Sequence, residues 1–440
     1  MKIKFLLIPL VYVAFNGGPM NAQEPYDLNK CIITGIENNY SIIIAVNREN
    51  VSNNNATWGN AGLLPSVDLS GRYGGTVNST YQNLTDGGEN SSQGIHNSNA
   101  TANMSVEWTI FRGYSARTSL KKLNELKSVG ELNTRLAMEN LVSNISAEYY
   151  YYIQQKQLYN NLRFAVDLSR ERVRIDEERY LLGAGSKLQL LQSKVYFNSD
   201  SSRLARQSEV LRESEIRLNQ LMAVKELDQS PVISDSLLDI RGDLRYEDLL
   251  NLVISNNTSL LIARKNKIIS DYDYKIITAR TYPYVSASSG YNYSFNNYEA
   301  SSISTQHTRG VNYNINVGIN IFDGFNRRRE KSNAIIESEN VSLRYLQIEQ
   351  EVIGDLLALY SGYTNNLRLL ELEEQNLATA SENLEIAFER YMLGNLSGLD
   401  LREVQKSLLD AEERLLSVQY QVKSAEISLL LISGQITDYL

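Results

Sequence analysis

The sequence predicts a mainly α-helical protein with a membrane β-barrel portion, built from a tandem-duplicated unit of helix, strand, strand, long helix and helix. Three observations carry this. Blocks of sequence recur at fixed spacings. Two proline-free stretches of about 70 residues keep a seven-residue apolar period. Shorter segments ahead of them alternate apolar and polar residues with a period of two.

The repeat comes first because it organises the rest. "RYLLGAGSKLQL" at 179–190 and "RYMLGNLSGLDL" at 390–401 agree at seven of twelve positions and lie 211 residues apart, as do "IFRGYSAR" at 110 and "IFDGFNRR" at 321. "NNYSIIIA" at 38 and "NNTSLLIA" at 256 are 218 apart, and so are Pro65 and Pro283. The change in offset falls between the proline and the "IF" motif, where one copy carries a longer loop. This divides the chain into a leader at 1–23, a first repeat at 24–227, a linker at 228–245 and a second repeat at 246–440.

The leader, "MKIKFLLIPLVYVAF", sets Lys2 and Lys4 before an apolar run from Phe5 to Phe15. That is a secretory signal, too short for a membrane span. The single cysteine, Cys31, follows Lys30 rather than a small residue, which argues against lipid attachment. One thiol also excludes an internal disulfide.

Each copy should open with a helix, roughly Asp27 to Asn55 and Tyr246 to Thr281, stopped before a proline. A pair of strands of 9–11 residues should follow, the span of a tilted membrane strand. In 311–322, "VNYNINVGINIF", Val311, Tyr313, Ile315, Val317, Ile319 and Ile321 share one face, and the opposite face is asparagine and glycine. In "TANMSVEWTIF", Met104, Val106 and Trp108 share a face in the same way. Residues 80–99, rich in Gly, Asn and Ser, read as a loop between strands. Long helices are expected from Gly113 to Leu182 and from Gly324 to Leu393, with a seam through Leu356, Tyr363, Leu370, Leu377, Leu384 and Tyr391. A second helix in the later copy runs from Leu401 to Ile432.

Composition narrows the function. The net charge of −8 becomes −10 once Lys2 and Lys4 leave with the leader, and an acidic chain without basic clusters is a poor nucleic-acid binder. His96 and His307 lie in polar stretches with nothing at metal-ligand spacing, so neither a metal, a cofactor nor an enzyme's catalytic constellation is expected. Four strands cannot close a barrel, and lipid tolerates no open sheet edge, so several chains must share one.

A secreted, twice-repeated unit with a glycine turn after "RY" resembles the TolC-type outer-membrane efflux proteins over the whole mature chain. The resemblance implies a homotrimer with a 12-stranded barrel in outer-membrane lipid and a coiled-coil helical tube in the periplasm. It further implies a passive exit duct for tripartite efflux or type I secretion, served by a periplasmic adaptor protein and, indirectly, an inner-membrane transporter. The tips that meet the adaptor would be Gly183, Gly185 and Ser186 in one turn, and Gly394, Asn395, Ser397 and Gly398 in the other. The pore gate would involve Asp400, Glu403 and Tyr391, with Gln189 and Gln192 at the first-copy positions. Leu396 stands where an arginine helps latch the tip in well-known members. The plainer readings are that Asp400 and Glu403 are solvated helix residues with Arg402 pairing locally, and that Tyr391 and Tyr180 are ordinary seam packing. The alternative for the whole chain is a soluble periplasmic coiled-coil structural or adaptor protein, against which the complete duplication argues.

Overall fold

The computed structural model describes residues 26–235 and 238–439; the expected leader lies outside them. The first copy forms α1 (Leu28–Asn38), α2 (Tyr40–Asn55), β1 (Ser66–Asn83), β2 (Glu89–Arg112), α3 (Ser115–Leu181) and α4 (Lys187–Met222). The second forms α5 (Tyr246–Asn256), α6 (Thr258–Ala279), β3 (Tyr284–Asn297), β4 (Thr305–Gly318), α7 (Asn326–Met392) and α8 (Gly398–Ile432), closed by a 3-10 turn at Ile436–Tyr439. The starts of α1 and α5, of α2 and α6, and of β1 and β3 lie 218 residues apart, and those of α3 and α7, and of α4 and α8, lie 211 apart.

The opening helix of each copy is split where a single helix was expected. Asn39 and Asn257, 218 apart, leave the helix and cap the next one, each side-chain oxygen accepting a backbone N–H, from Ser41 at 2.9 Å and from Leu260 at 3.0 Å. Their amide nitrogens donate to the carbonyls of Leu221 and Ile432, at 2.9 Å in both cases. Helical periodicity continues across the break, so the pattern hides it.

The four strands form one antiparallel sheet in the order β1-β2-β3-β4. They run 18, 24, 14 and 14 residues, longer than expected, and most of 80–99 is strand rather than loop. Pairing of β1 with β2 satisfies the backbone there whatever the side chains. Only 84–88 turns, closed by the Leu84 N–H donating to Gly88 O at 2.8 Å. In the other direction β4 stops at Gly318, so Ile319 and Ile321 lie beyond the strand in which they were placed. Gly318 pairs with Tyr284, and the next partner would be Pro283, which has no N–H to donate.

Two left-handed residues turn each sheet pair into its long helix, Gly113 and Tyr114 at φ 55° and 64°, and Gly324 and Phe325 at φ 67° and 65°. At Gly113 a Cβ would come within 2.3 Å of the Ala279 carbonyl, so only glycine fits. Helices α3 and α7 each have 67 residues, about 100 Å at 1.5 Å per residue. Helix α4 packs on α3 and α8 on α7, while α6 packs on both α7 and α3. The two cores are built from equivalent positions: Cys31, Ile42, Leu141, Ile145, Tyr152 and Leu218 in one, and Leu249, Leu260, Val352, Leu356, Tyr363 and Leu429 in the other. Cys31 thus fills a leucine's place. Burial pushes its thiol up to about 12, and its side chain lies fully buried in the core beneath α1.

Candidate functional site: the sheet faces and the helical tip

Register decides which side chains share a face. Leu69, Met104, Tyr291 and Val311 form one cross-strand row, and Val67, Val106, Ser289 and Tyr313 the next. Trp108, Ala287 and Ile315 continue it. The opposite face carries Ser70, Asn103, Asn292 and Gly310, then Asp68, Ser105, Gly290 and Asn312. Over these rows one face is therefore mainly apolar across the four strands, with Ser289 its polar member and Arg309 and His307 continuing it beyond Val311, and the other is mostly hydroxyl and amide. Val67, Leu69, Met104, Tyr291, Val311, Tyr313, Ile315 and Val317 are all exposed. An apolar patch of this extent on a single chain calls for a covering of lipid or protein. The Trp108 indole donates to the Leu63 carbonyl at 3.0 Å, leaving its ring on the apolar side with its N–H satisfied. Strands β1 and β4 are both unpaired at their outer edges among the described residues. No helix among these residues is long and apolar enough to cross a membrane.

At the far end of the long helices, 179–185 and 390–395 form matching turns. The N–H groups of Gly394 and Asn395 donate to the carbonyls of Tyr391 and Arg390, and those of Gly183 and Ala184 to Tyr180 and Arg179. Gly183 and Gly394 adopt φ +73° and +80°, whereas Gly185 and Gly398 do not take positive φ. Gly398 is bare for another reason: a Cβ there would meet the Arg172 guanidinium at 2.8 Å. Ser186 and Ser397 cap α4 and α8, accepting from the backbone N–H of Gln189 at 3.2 Å and of Asp400 at 3.1 Å. Asn395 is exposed in its turn.

The expected gate residues divide. Asp400, Glu403, Gln189 and Gln192 are all exposed. Asp400 accepts from the Ser397 hydroxyl at 2.7 Å, and the Gln189 side chain accepts from the Ser186 N–H at 3.0 Å. Both are thus third residues of capping arrangements, so helix-start chemistry accounts for those two positions. Tyr391 is buried, and its hydroxyl donates to Asp176 on α3. Burial first, then Asp176, pushes its phenol up to about 12. The Arg179 guanidinium lies 4.7 Å from the Tyr391 ring centre and donates to its carbonyl at 2.6 Å. Arg172 sits 4.0 Å from the Asp176 carboxylate. Tyr180, the first-copy equivalent, is 40% exposed.

Arg402 does not pair beside Asp400 and Glu403. It forks onto Asp200 of α4 at 2.7 and 2.8 Å, and Ser169 also donates to that carboxylate. Asp176, Asp200, Arg172 and Arg179 are the residues sequence reasoning missed. A signal was present: Asp176 and Asp200 stand where the other copy has Ala387 and Ala411. No group of residues suited to a metal ion occurs among the described residues.

The family model for outer membrane efflux protein matches residues 249–435. No curated protein sequence matches the chain. Among solved structures, the chain is similar to the outer membrane protein VceC of Vibrio cholerae at 18% identity and TM-score 0.72, covering 92% of this chain and 96% of that one. A membrane protein from Pseudomonas aeruginosa aligns at 16% identity and TM-score 0.77, over 92% and 93%. The Campylobacter jejuni CmeC outer membrane channel aligns at 15% identity and TM-score 0.73, over 98% and 94%. Residues 249–435 thus match the family model of the outer membrane efflux proteins, and over its described length the chain has the fold of outer-membrane channels such as CmeC.

Proposed function

We propose that the chain is one third of a passive exit duct in the outer membrane, docked through its periplasmic tips to an adaptor protein in a tripartite efflux or type I secretion system. The observation that carries this is the four-stranded sheet, with two open edges, one exposed apolar face and one mostly uncharged polar face. Backbone groups at an open edge cannot be left bare in lipid, so edge must meet edge between chains. Three chains supply twelve strands, with the apolar face toward lipid and the hydroxyl and amide face toward a water-filled bore.

The helices extend the bore. Rods of about 100 Å leave the sheet at Gly113 and Gly324 and return at turns whose exposed glycines and serines suit contact with another protein's helices. Asp400 and Glu403, exposed beside the second turn, are the acids available to a gate. Substrate moves because a partner drives it; the duct contributes a path.

Fractionation tests this. The mature protein should sediment with outer membranes, resist alkaline and high-salt washing, and migrate faster on a denaturing gel unheated than boiled, as closed barrels do. A protein released by osmotic shock, with the same mobility heated or not, would instead be the soluble periplasmic structural or adaptor protein.

A further inference from the structure

Where the sheet gives way to the long helices, both copies carry the same spacing of side chains. Phe111, Tyr114 and Arg117 lead into α3, and Phe322, Phe325 and Arg328 into α7, each 211 residues from its equivalent. Tyr114 and Phe325 take φ 64° and 65°, a conformation that suits glycine, yet each copy keeps an aromatic ring there. Both rings are exposed, at 61% and 67%, and each stands edge-on to a neighbour, Phe111 at 5.2 Å and Phe322 at 5.3 Å. The Arg117 guanidinium lies 5.9 Å from the Tyr114 ring centre.

The cations beside these rings break a second local rule. The first turns of α3 and α7 hold no acid, and Arg117, Arg328 and Arg329 occupy them, at the positive end of the helix dipole, where a cation is disfavoured. Lys121 stands one turn beyond Arg117 on the same face. All four are exposed, and none forms an ion pair among the described residues. The acids nearby are engaged elsewhere, Asp323 with Arg327 at 2.9 Å, Glu330 with Arg280 at 2.9 Å and Asp273 with Lys122 at 2.5 Å. In an acidic chain, each junction is thus left with uncompensated positive charge. Its depth fits a membrane surface. Phe322 follows the exposed apolar residues Val317, Ile319 and Ile321. Lys121, the furthest of the four cations, is about 9 Å into its helix at 1.5 Å per residue, and its side chain leans back toward the helix start.

We propose that each junction binds the phosphate of an anionic phospholipid in the periplasmic leaflet, Arg117 with Lys121 at one site and Arg328 with Arg329 at the other. This rests on the duct reading above. Exposed rings settle in the layer where acyl chains meet headgroups, and guanidinium groups take phosphate oxygens in a forked hydrogen bond. The bound phosphate supplies the negative charge that each helix start lacks. A net-neutral headgroup carries its own cation and offers no such gain.

Quenching of Trp108 by brominated lipid tests it, because the indole lies on the apolar side of β2 near its junction with α3. Trp58→Phe makes Trp108 the only tryptophan, and Ile319→Trp, in a chain with Trp58→Phe and Trp108→Phe, reads the α7 site. The full-length protein is placed in phosphatidylcholine vesicles containing brominated phosphatidylglycerol or brominated phosphatidylcholine. Phosphatidylglycerol should bind about fivefold more tightly, the factor of one cation near a charged surface, and less so at high salt. Arg117→Gln with Lys121→Gln at the first site, and Arg328→Gln with Arg329→Gln at the second, should abolish the preference, whereas Arg117→Lys and Arg328→Lys should keep it. Arg163→Gln with Arg206→Gln removes two exposed charges far along α3 and α4 and should change nothing. Inorganic phosphate at equal ionic strength should not compete. No preference in the parent, a preference that the glutamine variants retain, or one that the Arg163 and Arg206 control also loses, overturns the lipid sites and leaves the barrel standing. Competition by inorganic phosphate overturns the lipid as the ligand. Quenching by neither lipid means that these residues meet no bilayer, which overturns the duct reading itself.

Discussion

Arg402→Leu is the sharpest perturbation of the tip. It removes both guanidinium hydrogen bonds from Asp200, a carboxylate 2% exposed. Ser169 is left as its only side-chain donor among the described residues. Breaking a buried pair from one side costs about 3–5 kcal/mol. Asp200→Ala leaves Arg402, whose side chain is 15% exposed and can reach water, so about 2–3 kcal/mol is expected. The double variant, Asp200→Ala with Arg402→Leu, installs the residue types that Ala411 and Leu191 carry at the equivalent positions. It should lie within about 1 kcal/mol of the parent, because an apolar replacement of both partners strands no charge. Hydrogen exchange by mass spectrometry on peptides from α4 and α8, in detergent-solubilised protein, reads the local opening free energies. Single variants below about 1 kcal/mol, or a double variant equal to the sum of the singles, would refute a desolvated pair at this contact.

Four further outcomes follow from the same coordinates. Val317→Arg should cost roughly 2–4 kcal/mol if it sits near the bilayer midplane and reduce membrane-assembled protein, whereas Asn316→Arg should be tolerated; equal loss from both would remove the barrel assignment. Tyr150, Tyr152 and Tyr391 all titrate at about 12, each chiefly through burial. Folded phenols hold their protons more tightly than unfolded ones, so their stabilisation is full below about pH 10 and lost as pH rises toward 12. Absorbance at tyrosinate wavelengths should show these groups ionising together with unfolding, one fewer in Tyr391→Phe. Gly394→Val forces a β-branched residue to φ +80° and should destabilise the tip by about 1–2 kcal/mol or more, impairing cross-linking to an adaptor while trimers still form. Asp400→Asn with Glu403→Gln should weaken cation selectivity and polyvalent-cation block of single channels; unchanged currents would place these carboxylates outside the bore.

Much of the architecture was legible because it rests on periodicity. The seven-residue seam through Leu356, Tyr363 and Leu384 marks packing against α8, and period two through Val311 to Val317 marks a sheet with unlike faces. What stayed hidden depends on single side chains or on partners distant in sequence. Asn39 and Asn257 break helices without disturbing the apolar pattern, because each caps the helix that follows. The ends of β1 and β2 carry no alternation, since their mutual pairing needs only backbone. At the tip, attention fell on exposed acids beside a turn, while the charges that join the hairpins are buried in positions where a seam normally holds apolar residues. An acid facing an alanine across the repeat is the mark of such a site.

The asparagine clips give each copy a further property. Asn39 reaches the end of α4 across 182 residues of chain, and Asn257 reaches the end of α8 across 175. The first and last helices of each copy are therefore neighbours, and each copy is nearly a closed loop. A unit whose beginning and end lie side by side can be duplicated and spliced to itself through a short linker without rearranging either half. By the same logic it should accept new termini at an exposed turn, such as 84–88, once its old ends are joined.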